Sequence, residues 1–154
     1  LVAFRVVAAD LDTMLLFEDA FHLAVPAADP LAGTDGVTVH DVSRRKLILL
    51  EEGHCLRDQA LSFCAAVPSD LSAGLGATSL ATVMQMVANG YGVTLVPEIA
   101  LEVEASNPRI RVVRFARPVP SRKLGLAWRR SSPRAADFKA FAAVAIDVFG
   151  KPKN

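Results

Sequence analysis

Residues 79–97, SLATVMQMVANGYGVTLVP, decide how the chain is built. Leu80, Val83, Met84 and Val87 recur at spacings of three and four, which gives Ser79 to Asn89 one apolar helical face. Val93 to Val96 then forms a strand-length run rich in β-branched residues. The same alternation extends outward. Upstream, Lys46 to Leu50 (KLILL) reads as a strand and Cys55 to about Ala66 as a helix. Val2 to Ala8 (VAFRVVA), Thr13 to Phe17 (TMLLF) and Phe21 to Val25 (FHLAV) read as three further strands. Downstream, Pro97 to Ala105 reads as a helix, and Ile110 to Phe115 and Lys123 to Trp128 (KLGLAW) as strands. The chain then enters a last helix with Ser132 as N-cap and Pro133 at its first position. Phe138, Phe141, Ala142, Ala145, Val148 and Phe149 form its apolar face, and Gly150 ends it. Strands alternating with helices make an α/β protein with an open sheet, where ligand sites gather at the carboxyl ends of strands. Val25 to Thr38 (VPAADPLAGTDGVT) is rich in Pro, Gly and Asp and reads as a loop.

The composition removes several classes of function. The 154 residues suffice for one domain or a two-lobed one that folds without covalent staples. Seventeen Lys and Arg against sixteen Asp and Glu leave a net charge of +1, so this chain carries no excess of cations for gripping a phosphate backbone. Two cysteines are far from a secreted disulfide scaffold, and no run approaches the ~18–20 apolar residues of a membrane span. A cytoplasmic protein that makes no membrane contact is the expectation. The first residue is Leu, with no signal-peptide pattern behind it, and the start reads as a cut inside a longer protein.

The chemistry lies in residues 51–64, EEGHCLRDQALSFC, which hold both cysteines. Zinc sites want cysteine pairs two to four apart with a second pair, and His22, His40 and His54 do not supply one, so no metal is expected. A redox reading fits better. Cys55 opens the helix after Gly53, where backbone N–H groups and the positive end of the helix dipole favour a thiolate, and His54 and Arg57 add donors and charge. A thiolate attacks peroxide to give a sulfenic acid, which condenses with a second thiol within reach; Cys64 is the only candidate. Yet nine residues of unbroken helix separate the two Cα atoms by about 13 Å and set them on opposite faces. A disulfide accepts only ~4.4–6.8 Å. Closing the bond requires the helix to unwind, which makes it a lever on the packing of Leu61 and Phe63. The plain alternative treats both cysteines as small apolar residues, Arg57 and Asp58 as a solvated helix face and His54 as a cap.

The string Gly53-His54-Cys55-Leu56-Arg57-Asp58-Gln59-Ala60, followed by Phe63-Cys64, resembles the sensor segment of the OxyR family of peroxide-responsive LysR-type transcription regulators. Ala77-Thr78-Ser79-Leu80 and the run from Met86 to Pro97 resemble the Thr-Ser-Leu helix and the Val-x-x-Gly-x-Gly-(Ile/Val)-x-x-(Leu/Val)-Pro signature of LysR-type effector domains. Arg122-Lys123-Leu124-Gly125-Leu126 resembles the strand that returns to their first subdomain. The resemblance implies a fold of two α/β subdomains like a type 2 periplasmic binding protein, with residues 19–123 forming subdomain II. Residues 1–18 and 124–154 would be parts of an incomplete subdomain I. It implies that Cys55 is the peroxide-reactive thiol and Cys64 the resolving one. His54, Arg57 and Asp58 would shape the pocket, and Arg122 would approach the reactive sulfur. Thr78 and Ser79 occupy the place where such domains often bind small ligands or anions.

The implied partners are hydrogen peroxide, a second copy or three more in a homodimer or homotetramer, RNA polymerase, and DNA held by a winged helix-turn-helix upstream of Leu1. No cofactor is implied, and the role is that of a sensor rather than an enzyme. The segment Ala81 to Gly90 would sit at a dimer interface with Met84, Met86 and Val87, although Val83 and Val87 fit core packing equally well. Two departures stand out. Gly74 and Gly76 stand where relatives carry His and Arg, and the threonines that hold peroxide in the family would lie upstream of Leu1. Two rivals remain open: an effector domain that binds a small organic inducer with the cysteines incidental, and a thiol-dependent peroxidase, whose fold signature is absent.

Overall fold

The computed structural model describes residues 2–3, 9–52, 54–64 and 76–149. The expected strand beyond Ala3, the helix beyond Cys64, and Gly53, Gly74 and Gly150 lie outside them. The chain divides into two compact units, one of residues 1–19 with 121–154 and the other of residues 20–120.

The unit of residues 20–120 is a mixed sheet covered on both faces. Strand β2 (Leu11–Pro26) contributes its second half, flanked by β5 (Thr94–Pro97) on one side and β6 (Ile110–Arg114) on the other, both antiparallel. Beyond β5 the sheet continues through a parallel bridge between Leu47 and Val93 into β3 (Leu49–Leu50), which pairs in parallel with β4 (Gly76–Ala77). Successive residues of a strand point to opposite faces. Phe21, Leu23, Val25, Leu47, Leu49 and Leu95 accordingly pack one core with Val42 and Ala60, while Ala24, Ile48, Leu50 and Val96 pack the other with Val83, Met84 and Val87. Helix α1 (Val39–Ser43) and helix α2 (Cys55–Cys64) serve the first core and α3 (Leu80–Ala88) the second.

Two glycines fix this arrangement. Gly90 follows α3 at φ +79°, and its N–H and that of Tyr91 donate to the Val87 and Met86 carbonyls, closing the helix in the left-handed conformation that glycine adopts without strain. A Cβ on Gly92 would run into the Lys46 carbonyl, so only glycine lets β3 lie against β5.

In the other unit, β1 (Val2–Ala3), β7 (Ser121–Arg129) and the first half of β2 stand side by side. Helix α5 (Ala135–Phe149) lays Ala142 and Ala145 on Leu16, Leu126 and Trp128. Among the described residues no helix is long and apolar enough to cross a membrane.

The elements depart from the sequence reading in five places. Thr13 to Phe17 and Phe21 to Val25 are one 16-residue strand, because the intervening Glu18-Asp19-Ala20 holds neither Gly nor Pro and the Asp19 charge is met inside the fold by Arg122. Val25 to Thr38 is not all loop: Asp29 caps a 3₁₀ turn, Pro30–Gly33, and Val37 bridges to Phe115. Helix α1, five residues long, is too short to show apolar spacing in the sequence, although Thr38 and Asp41 cap it reciprocally. Pro97 belongs to β5, and the expected helix to Ala105 is a 3₁₀ turn, Glu98–Ala100, followed by the short α4 (Leu101–Glu104). Helix α5 begins at Ala135 rather than Pro133, and only part of its apolar stripe is covered. Phe141 and Val148 lie on a flank beside the Ala142 and Ala145 face and are exposed, as is Phe149, although its ring stacks on Phe17 at 5.7 Å.

Candidate functional site at the carboxyl ends of β3 and β4

Leu49 pairs with Gly76 and Leu50 with Ala77 in parallel, so β3 and β4 end side by side. The Glu51 N–H donates to the Ala77 carbonyl at 3.1 Å and holds these ends together. From them the chain enters two helices. β3 leads through residues 51–54 into α2, and β4 leads through Thr78 and Ser79 into α3. Two helix N-termini thus open at one edge of the sheet, where unpaired N–H groups favour anionic groups.

Cys55 is the first residue of α2, exposed, with a free thiol. His54 precedes it, also exposed, and its carbonyl accepts from the N–H groups of Arg57 at 2.9 Å and Asp58 at 3.4 Å. Asp58 points outward. Arg57 does not stand free beside the thiol. Its side chain is half-buried, and Nη1 donates to the Leu50 carbonyl at 3.0 Å. There it lines a cavity of about 10 Å³ with Leu56, Ala60, Val83, Thr94 and Leu95, room for about one water-sized molecule. Thr78 and Ser79 are exposed at the start of α3; Ser79 Oγ accepts from the Thr82 N–H at 3.2 Å and lies 2.9 Å from Thr82 Oγ1.

Cys64 ends the same ten-residue helix that Cys55 begins, which sets their Cα atoms about 13 Å apart. Arg122 belongs to the other unit, where its Nε donates to Asp19 Oδ2 at 2.8 Å, both side chains being largely buried. Among the described residues no group of three or more His, Cys, Asp or Glu is placed to hold a metal ion.

Gln59 is the residue to which sequence reasoning gave no role. It lies one turn after Cys55 on the same side of α2, and among the described residues its buried Oε1 has no hydrogen-bond partner. A buried amide oxygen left unmatched invites a small donor. The only sequence signal was its place in the motif, four residues after Cys55.

Residues 1–150 match the LysR substrate binding domain family. The chain belongs to that family. The LysR domain is 42% identical over 146 residues to a probable hydrogen peroxide-inducible genes activator of Mycobacterium avium; the alignment covers 94% of this chain and 47% of the relative. It is similar to the reduced form of the OxyR regulatory domain from Pseudomonas aeruginosa, with a TM-score of 0.82, 34% identity, and coverage of 96% of this chain and 70% of that one. It is also similar to a hydrogen-peroxide-bound cysteine-to-serine mutant of Corynebacterium glutamicum OxyR, at a TM-score of 0.88 and 30% identity over 97% of this chain and 48% of that one. The LysR domain therefore spans about half the length of the curated relative.

Proposed function

We propose that this chain is the peroxide-sensing regulatory part of a DNA-binding transcription activator, switched by oxidation of Cys55 and capture by Cys64. The observation that carries the reading is the placement of the exposed Cys55 thiol at the start of α2, with the second cysteine at the far end of the same helix. The Cys55 thiolate attacks one oxygen of hydrogen peroxide; an S–O bond forms, the O–O bond breaks, and the departing hydroxide takes a proton to become water. The Cys64 thiolate then attacks the sulfenic sulfur, forming S–S as the S–O bond breaks and a second water leaves. The two thiols supply both electrons, and a cellular dithiol restores them. The cycle runs once per signal, so the chain acts as a sensor rather than a turnover enzyme.

Gln59 Oε1 accepts a hydrogen bond from the incoming peroxide, while His54 and Asp58 shape the approach to the sulfur. Residues 20–120 correspond to the redox-active subdomain II and the other unit to parts of subdomain I. Through the rest of the protein the switch acts in the cytoplasm on a homodimer or homotetramer, on DNA and on RNA polymerase. The relatives' names support the peroxide and DNA parts of this reading: one is a probable hydrogen peroxide-inducible genes activator, another a DNA-binding transcriptional dual regulator.

The test is mass spectrometry of the intact protein after one equivalent of hydrogen peroxide. An intramolecular Cys55–Cys64 disulfide is expected, absent in Cys55→Ser. A protein left reduced, or oxidised only to a stable sulfenic acid, overturns the switch. A second reading draws on the exposed Thr78 and Ser79 at the α3 N-terminus: a small organic anion bound there would raise thermal stability and leave the protein indifferent to peroxide.

A further inference from the structure

The two ends of α2 are held very differently. The second half is packed into the core: Ala60 is 2% exposed, Leu61 and Phe63 lie against the same cluster, and the Phe63 ring meets Phe115 edge-on at 5.4 Å. The first turn offers little burial, since His54, Cys55 and Asp58 are all exposed. Beyond the packing of Leu56 and the helix's own backbone ladder, it is held by two backbone bonds to the His54 carbonyl and by the Arg57 guanidinium on the Leu50 carbonyl. That last bond spans seven residues and closes the connection between β3 and the reactive cysteine into a loop. Arg57 lines the cavity together with Leu56 and Ala60, and its head is bonded to Leu50.

Arg57 stands between the two cysteines. If Cys55 and Cys64 are to approach from about 13 Å to disulfide range, the helix must open between them, and the lightly held first turn opens at less cost than the packed second half. We propose that Arg57 is a positioning residue that keeps this turn closed: its guanidinium ties the start of α2 to the end of β3, and Cys55 reaches Cys64 only when the tie is released. The tie stabilises the reduced form alone, so its strength sets how much oxidant throws the switch. This deepens the peroxide-switch reading and rests on it.

The experiment compares the intact protein with Arg57→Met, which keeps the stem and deletes the donor, and Arg57→Lys, which keeps a charged donor. Amide hydrogen exchange is read in the reduced state. In Arg57→Met the Arg57-position and Asp58 amides exchange about tenfold faster, while the amides of Val83 and Leu95 keep their protection. The Cys55–Cys64 dithiol–disulfide equilibrium is then read against reduced and oxidised dithiothreitol. It moves about tenfold toward the disulfide, equivalent to a potential about 30 mV more negative, and Arg57→Lys recovers part of the shift. Faster exchange throughout the core overturns the proposal, since Arg57 would then be a general stabiliser. An equilibrium unchanged in Arg57→Met overturns it as well. If the unaltered protein forms no Cys55–Cys64 disulfide, the functional reading itself fails, and the local exchange still accepts or rejects the tie.

Discussion

Replacing Gly92 with alanine should damage both the fold and the reactive edge, and the size of the damage follows from what surrounds it. A Cβ at this position collides with the Lys46 carbonyl and comes within 3.1 Å of Ile48 Cγ1. The carbonyl is backbone and cannot swing aside, so β3 and β5 must part. Two hydrogen bonds lie at the contact, Val93 N–H to Lys46 O at 2.9 Å and Ile48 N–H to Val93 O at 2.8 Å. Losing or stretching both costs about 1–3 kcal/mol, and the residual strain adds about 1–3 kcal/mol. A total of about 2–6 kcal/mol is a large share of a domain's stability. The displaced strand is the one whose end carries Leu50, the acceptor for Arg57, so the rate of Cys55 alkylation should change even in the fraction that folds. Urea unfolding followed at several probes measures the first effect and iodoacetamide kinetics the second. Gly33→Ala serves as the control, since a Cβ there meets nothing within 4 Å. A loss below about 0.5 kcal/mol for Gly92→Ala, indistinguishable from a surface substitution, would refute the reasoning.

Asp19→Ala should cost on the order of 3–5 kcal/mol in urea unfolding, because it breaks a largely buried pair with Arg122, while Asp19→Leu combined with Arg122→Met should recover most of that loss. Thr38→Ala should destabilise by about 1 kcal/mol at neutral pH through loss of the α1 cap. Asp41 accepts from the Thr38 hydroxyl and N–H, and these bonds hold its carboxyl below the ordinary value of 3.8. Its contribution is thus present above about pH 4 and lost as pH falls through the lowered value. The difference between Thr38→Ala and the unaltered protein should shrink as acid protonates Asp41, and a difference that does not shrink when Asp41 protonation is followed directly by NMR would remove Asp41 from the cap.

What the sequence made legible was local. The α3–β5 run, the strand before the cysteines and the helix between them follow from apolar spacing, because each buries one face against one core. Cys55 could be singled out because helix-terminal position and neighbouring charge are both sequence-local properties. The rest depends on contacts far apart in the chain. Asp19 and Arg122 are 103 residues apart, and without that pair the Glu18-Asp19 step reads as a break between two strands. The destination of Arg57 was hidden for a related reason: a cation two residues after a cysteine reads as a neighbour of the thiol, but its guanidinium bonds the end of β3. That the chain leaves toward α2 and toward α3 from adjacent strand ends follows from the parallel pairing of β3 with β4, each of which is two residues long. β3 falls within a run that reads as a strand, but β4 is only Gly76 and Ala77 and carries no periodicity to read.

Short strands also bear on how such a site can switch. A two-residue parallel ladder contributes few hydrogen bonds, and the chain leaving it toward α2 is tied back chiefly by Glu51 to Ala77 and Arg57 to Leu50. The sheet behind is anchored by the fully buried Ile48 and by Thr94, whose hydroxyl donates to the Ile48 carbonyl at 2.8 Å. Opening the first turn of α2 therefore need not propagate into the sheet: the bonds that give way lie at Leu50 and beyond, and those that hold lie at Ile48 and before. A reactive helix built on a longer β3 would be harder to release, and one without the Thr94 bond would loosen the core together with the site. The division between a fixed strand and a releasable turn falls within three residues, Ile48 to Leu50, and under the proposed switch it would let α2 unwind without unfolding the unit that carries it.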